Sequence, residues 1–88
     1  MIRNDHFLMQ EVAGKFVVVP VGAAASDFPG MITLNETGVE LWNLLAQEQT
    51  EDTLVKTFLE QYDASEEQIR EDIRKFTQRL IQVGAVIA

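Results

Sequence analysis

The segment over residues 29–42, which reads PGMITLNETGVELW, constrains the fold of this chain more than any other part. It combines a Pro-Gly turn, four residues typical of a strand, an Asn that can cap a helix, and an apolar helix face. A strand this short, joined directly to a helix, is expected at the edge of a small sheet. Edge strands leave backbone N–H and C=O groups without partners, and an extended peptide can pair with them. The sequence therefore predicts a peptide-accepting edge near residue 32.

The first half of the chain is typical of β-structure. Residues 7–12 and 16–19 form a predicted hairpin around a turn at residues 13–15, where Gly14 can adopt a positive φ. Pro20 cannot donate to a ladder, so it marks a bulge or the end of the strand. Small and polar residues at 22–27 predict a loop, residues 28–30 a turn, and residues 31–34 a third strand.

The second half predicts three helices. The first begins at Asn35, a favourable N-cap, with a rival capping box formed by Thr33 and Glu36. Gly38 is unfavourable within a helix, and close packing of that turn on the sheet is the expected reason. The apolar face of this helix consists of Gly38, Leu41, Trp42 and Leu45.

The second predicted helix covers residues 51–61 with Thr50 as its N-cap, and its apolar stripe consists of Leu54, Val55, Phe58, Leu59 and Tyr62. The third follows a capping box at residues 65–68 and ends before Gly84, a typical C′ residue. Its stripe, read as core, consists of Ile69, Ile73, Phe76, Leu80 and Val83. Residues 85–88 are expected to be extended and packed on the domain. The order β-β-β-α-α-α predicts one α+β domain over residues 1–88, with helices packed on a small antiparallel sheet.

Composition and charge exclude several functions. The chain has 88 residues, a formal net charge of −7 and no cysteine. The missing thiols exclude disulfides, thiolate nucleophiles and Cys-ligated metal sites, and they are compatible with a reducing cytoplasm. The negative charge disfavours nucleic acid and anionic membranes as partners. No apolar run is long enough to span a bilayer.

The sequence shows no catalytic constellation. His6 is the single histidine, and it lies near a terminus that is expected to fray. The carboxylates of Glu36, Glu40, Asp52 and Asp72 have no spacing that pairs them for acid–base work. No glycine-rich phosphate motif is present. We therefore predict no enzyme activity, no catalytic residue, no metal site and no cofactor.

An ordered set of residues resembles the PqqD-like family. It consists of Leu34-Asn35-Glu36-Thr37-Gly38, then Leu41-Trp42, then Thr50 at a helix start, followed by Leu54, Tyr62, Ile69, Asp72, Phe76, Leu80 and Gly84. The resemblance covers residues 7–87. It implies a winged-helix-like fold with a three-stranded antiparallel sheet followed by three helices.

The resemblance also implies a function. Such domains, called RiPP recognition elements, bind the leader of a ribosomally made precursor peptide and present it to a modifying enzyme, often a radical SAM protein. The leader docks as an extra strand on the third strand, beside the third helix. The founding pathway makes pyrroloquinoline quinone (coenzyme PQQ). Members of that pathway tend to carry a Cys-Asp-Gly-like element where this chain has AQEQ at residues 46–49, which favours a diverged member that serves another peptide.

Peptide-binding residues are predicted on the third strand and on one flank of the third helix. The strand pairs with the guest by β-addition. Sequence leaves the flank open: one shoulder holds Gln68, Asp72, Lys75 and Arg79, the other Glu66, Arg70, Arg74 and Thr77. We favour the first shoulder. Phe76 is compatible with either a core position or a position in the peptide groove. The predicted site consists of Met31, Ile32, Thr33, Leu34, Asp72, Lys75, Phe76 and Arg79.

Two alternative uses of this fold are kept. Consecutive helices with a short link are compatible with a DNA-binding winged helix, but residues 65–83 carry four basic and four acidic residues, which cancel. The open strand can also pair with its copy in a homodimer, since the same unpaired groups would be used.

Overall fold

The computed structural model describes residues 1–22 and 30–88, so the predicted loop at 22–27 and turn at 28–30 fall outside it apart from Gly22 and Gly30. The elements in chain order are β1 (Ile2–Arg3), β2 (Phe7–Val12), β3 (Lys15–Pro20), β4 (Ile32–Leu34), α1 (Glu36–Leu44), α2 (Glu51–Gln61), α3 (Glu66–Gln82) and β5 (Val86–Ile87). The α+β fold, with a three-stranded antiparallel sheet followed by three helices, is confirmed. Strands β1 and β5 were not predicted as strands.

The main sheet has the order β2-β3-β4 and is antiparallel throughout. A two-residue turn joins β2 to β3, with φ of 53° at Ala13 and 79° at Gly14. Positive φ at both central residues is the signature of a type I′ turn, whose twist matches that of the strands. Gly14 was predicted in this conformation and Ala13 was not. Strand β3 ends at Pro20, as predicted.

The two chain ends pair with each other. Arg3 lies opposite Val86 in the two-stranded β1–β5 sheet. The Arg3 N–H also donates to the Leu45 carbonyl at 2.8 Å, and its guanidinium lies 5.7 Å from the centre of the Trp42 ring. The expectation of a frayed N-terminus near His6 is therefore wrong, because strand pairing and the His6 carbonyl, which accepts from the Val21 N–H, hold this segment.

Side-chain caps fix where α1 and α2 begin. The Asn35 carboxamide oxygen accepts from the Gly38 N–H at 2.8 Å, which confirms Asn35 as the N-cap of α1. The rival cap at Thr33 is wrong, because that residue lies in β4. Thr50 caps α2 as predicted, and Thr53 completes a reciprocal capping box.

Helix α3 is capped at both ends. The Ser65 hydroxyl accepts from the Gln68 N–H at 3.2 Å. Because the Gln68 side chain donates to Asp72 instead of returning to the cap, only half of the predicted capping box forms. Gly84, with φ of 84°, follows the helix as predicted.

The core lies between the helices and the sheet. The predicted core residues Ile69, Ile73 and Leu80 of α3 are buried, whereas Phe76 is half-buried. Thr77 is also buried, although the sequence placed it on a shoulder of the helix beside the core stripe. On α2 the stripe is narrower than predicted: Leu54, Val55 and Phe58 are buried, but Leu59 and Tyr62 are 38% and 39% exposed. These last two members of the predicted apolar stripe lie at the margin of the packed face.

A cluster of charges holds α3 against α2. Arg70 donates to Glu51 at 2.7 Å and to Asp52 at 2.8 Å, and Arg74 donates to both oxygens of Glu51 at 2.9 Å. Hydrogen bonds from Arg74 and then Arg70 lower the pKa of the Glu51 carboxyl from 4.5 to about 2. One shoulder of α3 is thereby committed to α2. Within residues 1–22 and 30–88, the other shoulder forms no ion pair with another helix.

We expect Glu51→Gln to lower stability in a pH-dependent way. Because the folded pKa of Glu51 lies below its ordinary value, the stabilisation is complete above about pH 4.5 and is lost as the pH falls towards 2. The difference in unfolding midpoint between wild type and variant, followed by circular dichroism, should shrink over that interval. Glu71→Gln, which breaks only the exposed pair with Lys75, should have a smaller effect. A constant difference for Glu51→Gln across the range would contradict this assignment.

Candidate functional site

Strand β4 is an edge strand. It pairs with β3 through Phe16↔Leu34, Val17↔Thr33 and Val18↔Ile32. Within residues 1–22 and 30–88 no other strand pairs with it. Among these described residues, one side of β4 is therefore left without a pairing strand.

The hairpin register determines which backbone groups face that open side. Val12 and Lys15 flank the two-residue turn as register partners, and in a type I′ turn such a pair is hydrogen-bonded from the Lys15 N–H to the Val12 carbonyl. Hydrogen-bonded and non-bonded pairs alternate along an antiparallel ladder, so the odd-numbered residues of β3 form their hydrogen bonds with β2. The bond from the Val21 N–H to the His6 carbonyl agrees with this alternation. Even-numbered residues of β3 therefore bond to Leu34 and Ile32.

It follows that the N–H and C=O of Thr33 point away from β3, towards the open side. The β3–β4 ladder ends at Pro20. As an even-numbered residue of β3, Pro20 would supply the next hydrogen bond to β4, but proline has no N–H. A guest strand would thus form its central hydrogen-bonded pair with Thr33. The side chains of Ile32 and Leu34 are buried, while that of Thr33 is exposed on the opposite face.

A groove of about 800 Å³ lies beside this edge. One wall is the end of the hairpin and β4, another is the first turns of α1, and the third is α3. The lining residues are Gly14, Lys15, Phe16, Thr33, Leu34, Asn35, Glu36, Val39, Phe76 and Arg79. Its walls combine apolar and charged side chains beside a strand edge, which suits an extended peptide.

Gly38 allows the groove wall to pack closely. A Cβ at this position would lie 3.1 Å from Cε2 of Phe76, 3.2 Å from Oδ1 of Asn35 and 3.4 Å from Cβ of Leu34. The α1 turn therefore packs on both α3 and β4. The expected close packing on the sheet is confirmed and extends to α3. This contact positions the Phe76 ring, which is half-buried and faces the groove.

We expect Gly38→Ala to move the Phe76 ring with little change in stability. Alanine favours the helix by about 1 kcal/mol, and the contact with Phe76 opposes that gain. The measurement is the aromatic NMR resonance of Phe76, together with the free energy of unfolding. Asn43→Ala, an exposed α1 position, is the matched control and should leave the ring unmoved. An unshifted Phe76 resonance in Gly38→Ala would show that the ring is held by other contacts.

The structure brings together half of the predicted site residues. Thr33, Leu34, Phe76 and Arg79 line the groove. Ile32 is buried beneath the edge, and Met31 is 58% exposed just before it. Peptide binding by any of these eight residues stays a prediction.

The other two helix residues lie outside the groove lining. Asp72 lines a separate pocket of about 170 Å³ and accepts from the Gln68 amide at 3.0 Å. Lys75 pairs with Glu71 at 3.1 Å. Sequence reasoning missed Lys15 and Phe16 as groove residues. The β3–β4 register, with Phe16 opposite Leu34, is the signal that would have found them.

The described residues offer little for metal chemistry or membrane insertion. Residues 1–22 and 30–88 contain no group of three or more His, Cys, Asp or Glu side chains that could hold a metal ion. In the same residues, no helix is long and apolar enough to cross a membrane.

The comparison with family models decides the family. The model described as coenzyme PQQ synthesis protein D (PqqD) matches residues 6–86, nearly the whole chain. The chain belongs to the PqqD family. A solved structure of TbiB1 in complex with the TbiA(beta) leader peptide is similar in fold, with a TM-score of 0.76 and 16% sequence identity, over 97% of this chain and 93% of that one. No curated protein matched the sequence.

Proposed function

We propose that this PqqD-family protein binds the leader of a ribosomally made precursor peptide and presents it to a modifying enzyme, such as a radical SAM protein. It acts in the cytoplasm as a non-catalytic adaptor. The observation that carries the proposal is the outward-facing backbone of Thr33 beside a groove walled by α3. The family assignment and the leader peptide in the TbiB1 complex support it.

Binding proceeds by addition of a strand to β4. The main chain of the guest pairs with Thr33, and each such hydrogen bond contributes about 0.5–1.5 kcal/mol. That term is independent of the guest sequence. Selectivity comes from guest side chains that enter the groove between Phe16, Leu34 and Phe76.

The groove is pre-organised because its helical wall is fixed before the guest arrives. The carboxylate of Glu51 ties α3 to α2 through two arginines, and Gly38 lets α1 pack on Phe76. A wall that does not have to be ordered on binding costs less conformational entropy. Presentation to an enzyme then leaves the core peptide, beyond the leader, free to reach the enzyme's active site.

A peptide other than the quinone precursor is the better candidate guest. The residues at 46–49 replace the Cys-Asp-Gly-like element of quinone-pathway members and serve the local structure here. The Gln49 amide donates to the Leu44 carbonyl at 3.0 Å, and its oxygen accepts from the Thr53 hydroxyl at 2.7 Å.

DNA binding is the weaker alternative. In a winged helix, basic side chains of the recognition helix must be free to meet phosphates. Here Arg70 and Arg74 are bound to carboxylates of α2, and Lys75 is bound to Glu71. A homodimer through β4 would use the same backbone groups as the guest, so peptide should dissociate such a dimer.

An NMR titration tests the proposal. The ¹⁵N-labelled protein is titrated with a synthetic leader from a small reading frame beside its gene. We expect the largest shifts at residues 31–34 and along the Phe76 and Arg79 face of α3. Measurement of mass with and without peptide, and a gel shift at low salt, address the dimer and DNA alternatives. Shifts confined to other surfaces would reject the β4 edge as the binding site.

A further inference from the structure

The cations of α3 divide into two groups. Arg70, Arg74 and Lys75 each contact at least one carboxylate within 3.3 Å. Arg79 has no carboxylate partner within residues 1–22 and 30–88, and it lines the groove. A guanidinium presents several N–H donors in a fixed fork that matches a carboxylate. Judged by the part of the chain that the structure describes, Arg79 is thus the one α3 cation still available for an acidic group from outside.

A second cation faces the same groove from the hairpin. Lys15 follows the type I′ turn, lines the groove and has no acidic partner within the described part of the chain. Glu36 is the single carboxylate among the described residues that line the groove. These lining residues therefore contribute two cations against one anion, although the whole chain has a net charge of −7. Their summed charge is opposite in sign to that of the protein.

Strand geometry places guest side chains relative to these cations. The guest residue opposite Thr33 shares a face with the exposed Thr33 side chain, which points away from the buried face of β4. The guest residues on either side of it project to the face of Ile32 and Leu34, where α3 packs. In a strand, residues two apart share a face. The groove therefore receives two guest side chains separated by one residue.

We propose that the groove selects peptides carrying an apolar residue and an Asp or Glu two positions apart. The apolar side chain packs against Phe16, Leu34 and Phe76, and the carboxylate binds Arg79, with Lys15 adding attraction from the hairpin. This inference rests on the proposed peptide-binding function and specifies the chemistry of its guest. It also predicts that the groove selects acidic peptides although the protein itself is acidic. The overall field of a chain with a net charge of −7 would instead attract basic peptides.

A random dodecapeptide display library provides the test. It is selected in parallel on the folded wild-type protein and on four variants: Thr33→Pro, Arg79→Gln, Lys15→Gln and Lys56→Gln. Lys56 is an exposed α2 cation outside the groove and without an acidic partner in the described residues. On the wild type and on Lys56→Gln we expect Asp or Glu two positions from an apolar residue. Arg79→Gln should lose most of this preference and Lys15→Gln part of it.

The outcomes separate the two levels of the proposal. If the wild type enriches no peptides beyond those of Thr33→Pro, strand addition at β4 fails. If it enriches peptides with apolar spacing but no acidic preference, or with a basic one, the proposed function stands and the acidic inference is overturned. An acidic preference that persists in Arg79→Gln and Lys15→Gln overturns the assignment to these two cations.

Affinities of one selected peptide complete the test. Changing its acidic residue to the amide should weaken binding to the wild type by about tenfold, as expected for loss of a charge-assisted hydrogen bond. The same change should have little effect on Arg79→Gln, because the partner is already missing. Equal losses on both proteins would show that the carboxylate binds elsewhere. Circular dichroism of each variant confirms that it is folded.

Discussion

Thr33→Pro is expected to abolish binding of a leader peptide while leaving the fold intact. The Thr33 N–H points to the open side of β4, so proline removes no bond of the β3–β4 ladder. A guest strand, by contrast, loses its central donor and meets the proline ring at the pairing edge. We expect affinity to fall by more than about tenfold, since an unpaired carbonyl alone costs about 1–3 kcal/mol. Isothermal titration calorimetry measures the loss.

Two companion variants make this result specific. Thr33→Val keeps the backbone N–H and should bind peptide within about twofold of wild type. Exchanging a hydroxyl for a methyl group on an exposed side chain usually changes little. Ile32→Pro removes a ladder donor and should lower the melting temperature markedly. Retained affinity in a folded Thr33→Pro protein would place the guest away from β4. If Thr33→Pro lowers the melting temperature as much as Ile32→Pro does, then the Thr33 N–H belongs to the β3–β4 ladder and the assigned register is wrong.

Phe76→Ala is expected to weaken peptide binding by about tenfold or more. The ring is half-buried, packs on the Gly38 turn and forms the apolar part of the groove wall on α3. Its removal deprives a guest side chain of the aromatic surface that typically dominates such interfaces. Because the ring is only partly buried, its truncation should lower the free energy of unfolding by less than the roughly 3–5 kcal/mol that removing a fully buried Phe ring costs. Calorimetry and chemical unfolding give the two quantities separately.

Leu59→Ala is the matched control for this truncation. Leu59 is also an apolar residue at the margin of the core, 38% exposed, but it lies on α2 outside the groove lining. Its truncation should change stability modestly and affinity not at all. If Phe76→Ala and Leu59→Ala reduce affinity equally, the loss reflects general loosening of the domain and Phe76 has no direct role in the groove.

Local signals in the sequence were sufficient for the elements of the main sheet and for the helices. Residues typical of a strand, followed by a glycine turn, predicted β2 with its bounds, and capping residues predicted α2 from Glu51 to Gln61. Strand β1 was missed because two residues are too few to show a period. Residues 85–88 were predicted to be extended, as β5 is, but their pairing with β1 was not predicted. Their pairing is a tertiary effect, formed when the ends of the chain meet over the core.

The candidate site was only partly accessible from sequence because a helical wheel ignores position along the axis. Asp72 and Arg79 lie on the same shoulder of α3, yet they line different pockets, since two helical turns separate them. Lys15 reaches the groove through the hairpin, which depends on strand register rather than on local sequence. The charge pairing of Arg70 and Arg74 with α2 was likewise invisible until the two helices were placed together.

The pairing of β1 with β5 has a consequence for how the domain can be engineered. Paired antiparallel strands hold their backbones about 5 Å apart, so Ile2 and Ile87 are neighbours in the folded protein. We expect that a short linker could join these two strands, as circular permutation or insertion into a surface loop of another protein requires. A host enzyme could therefore carry it as a cassette, with the β4 edge left open to solvent.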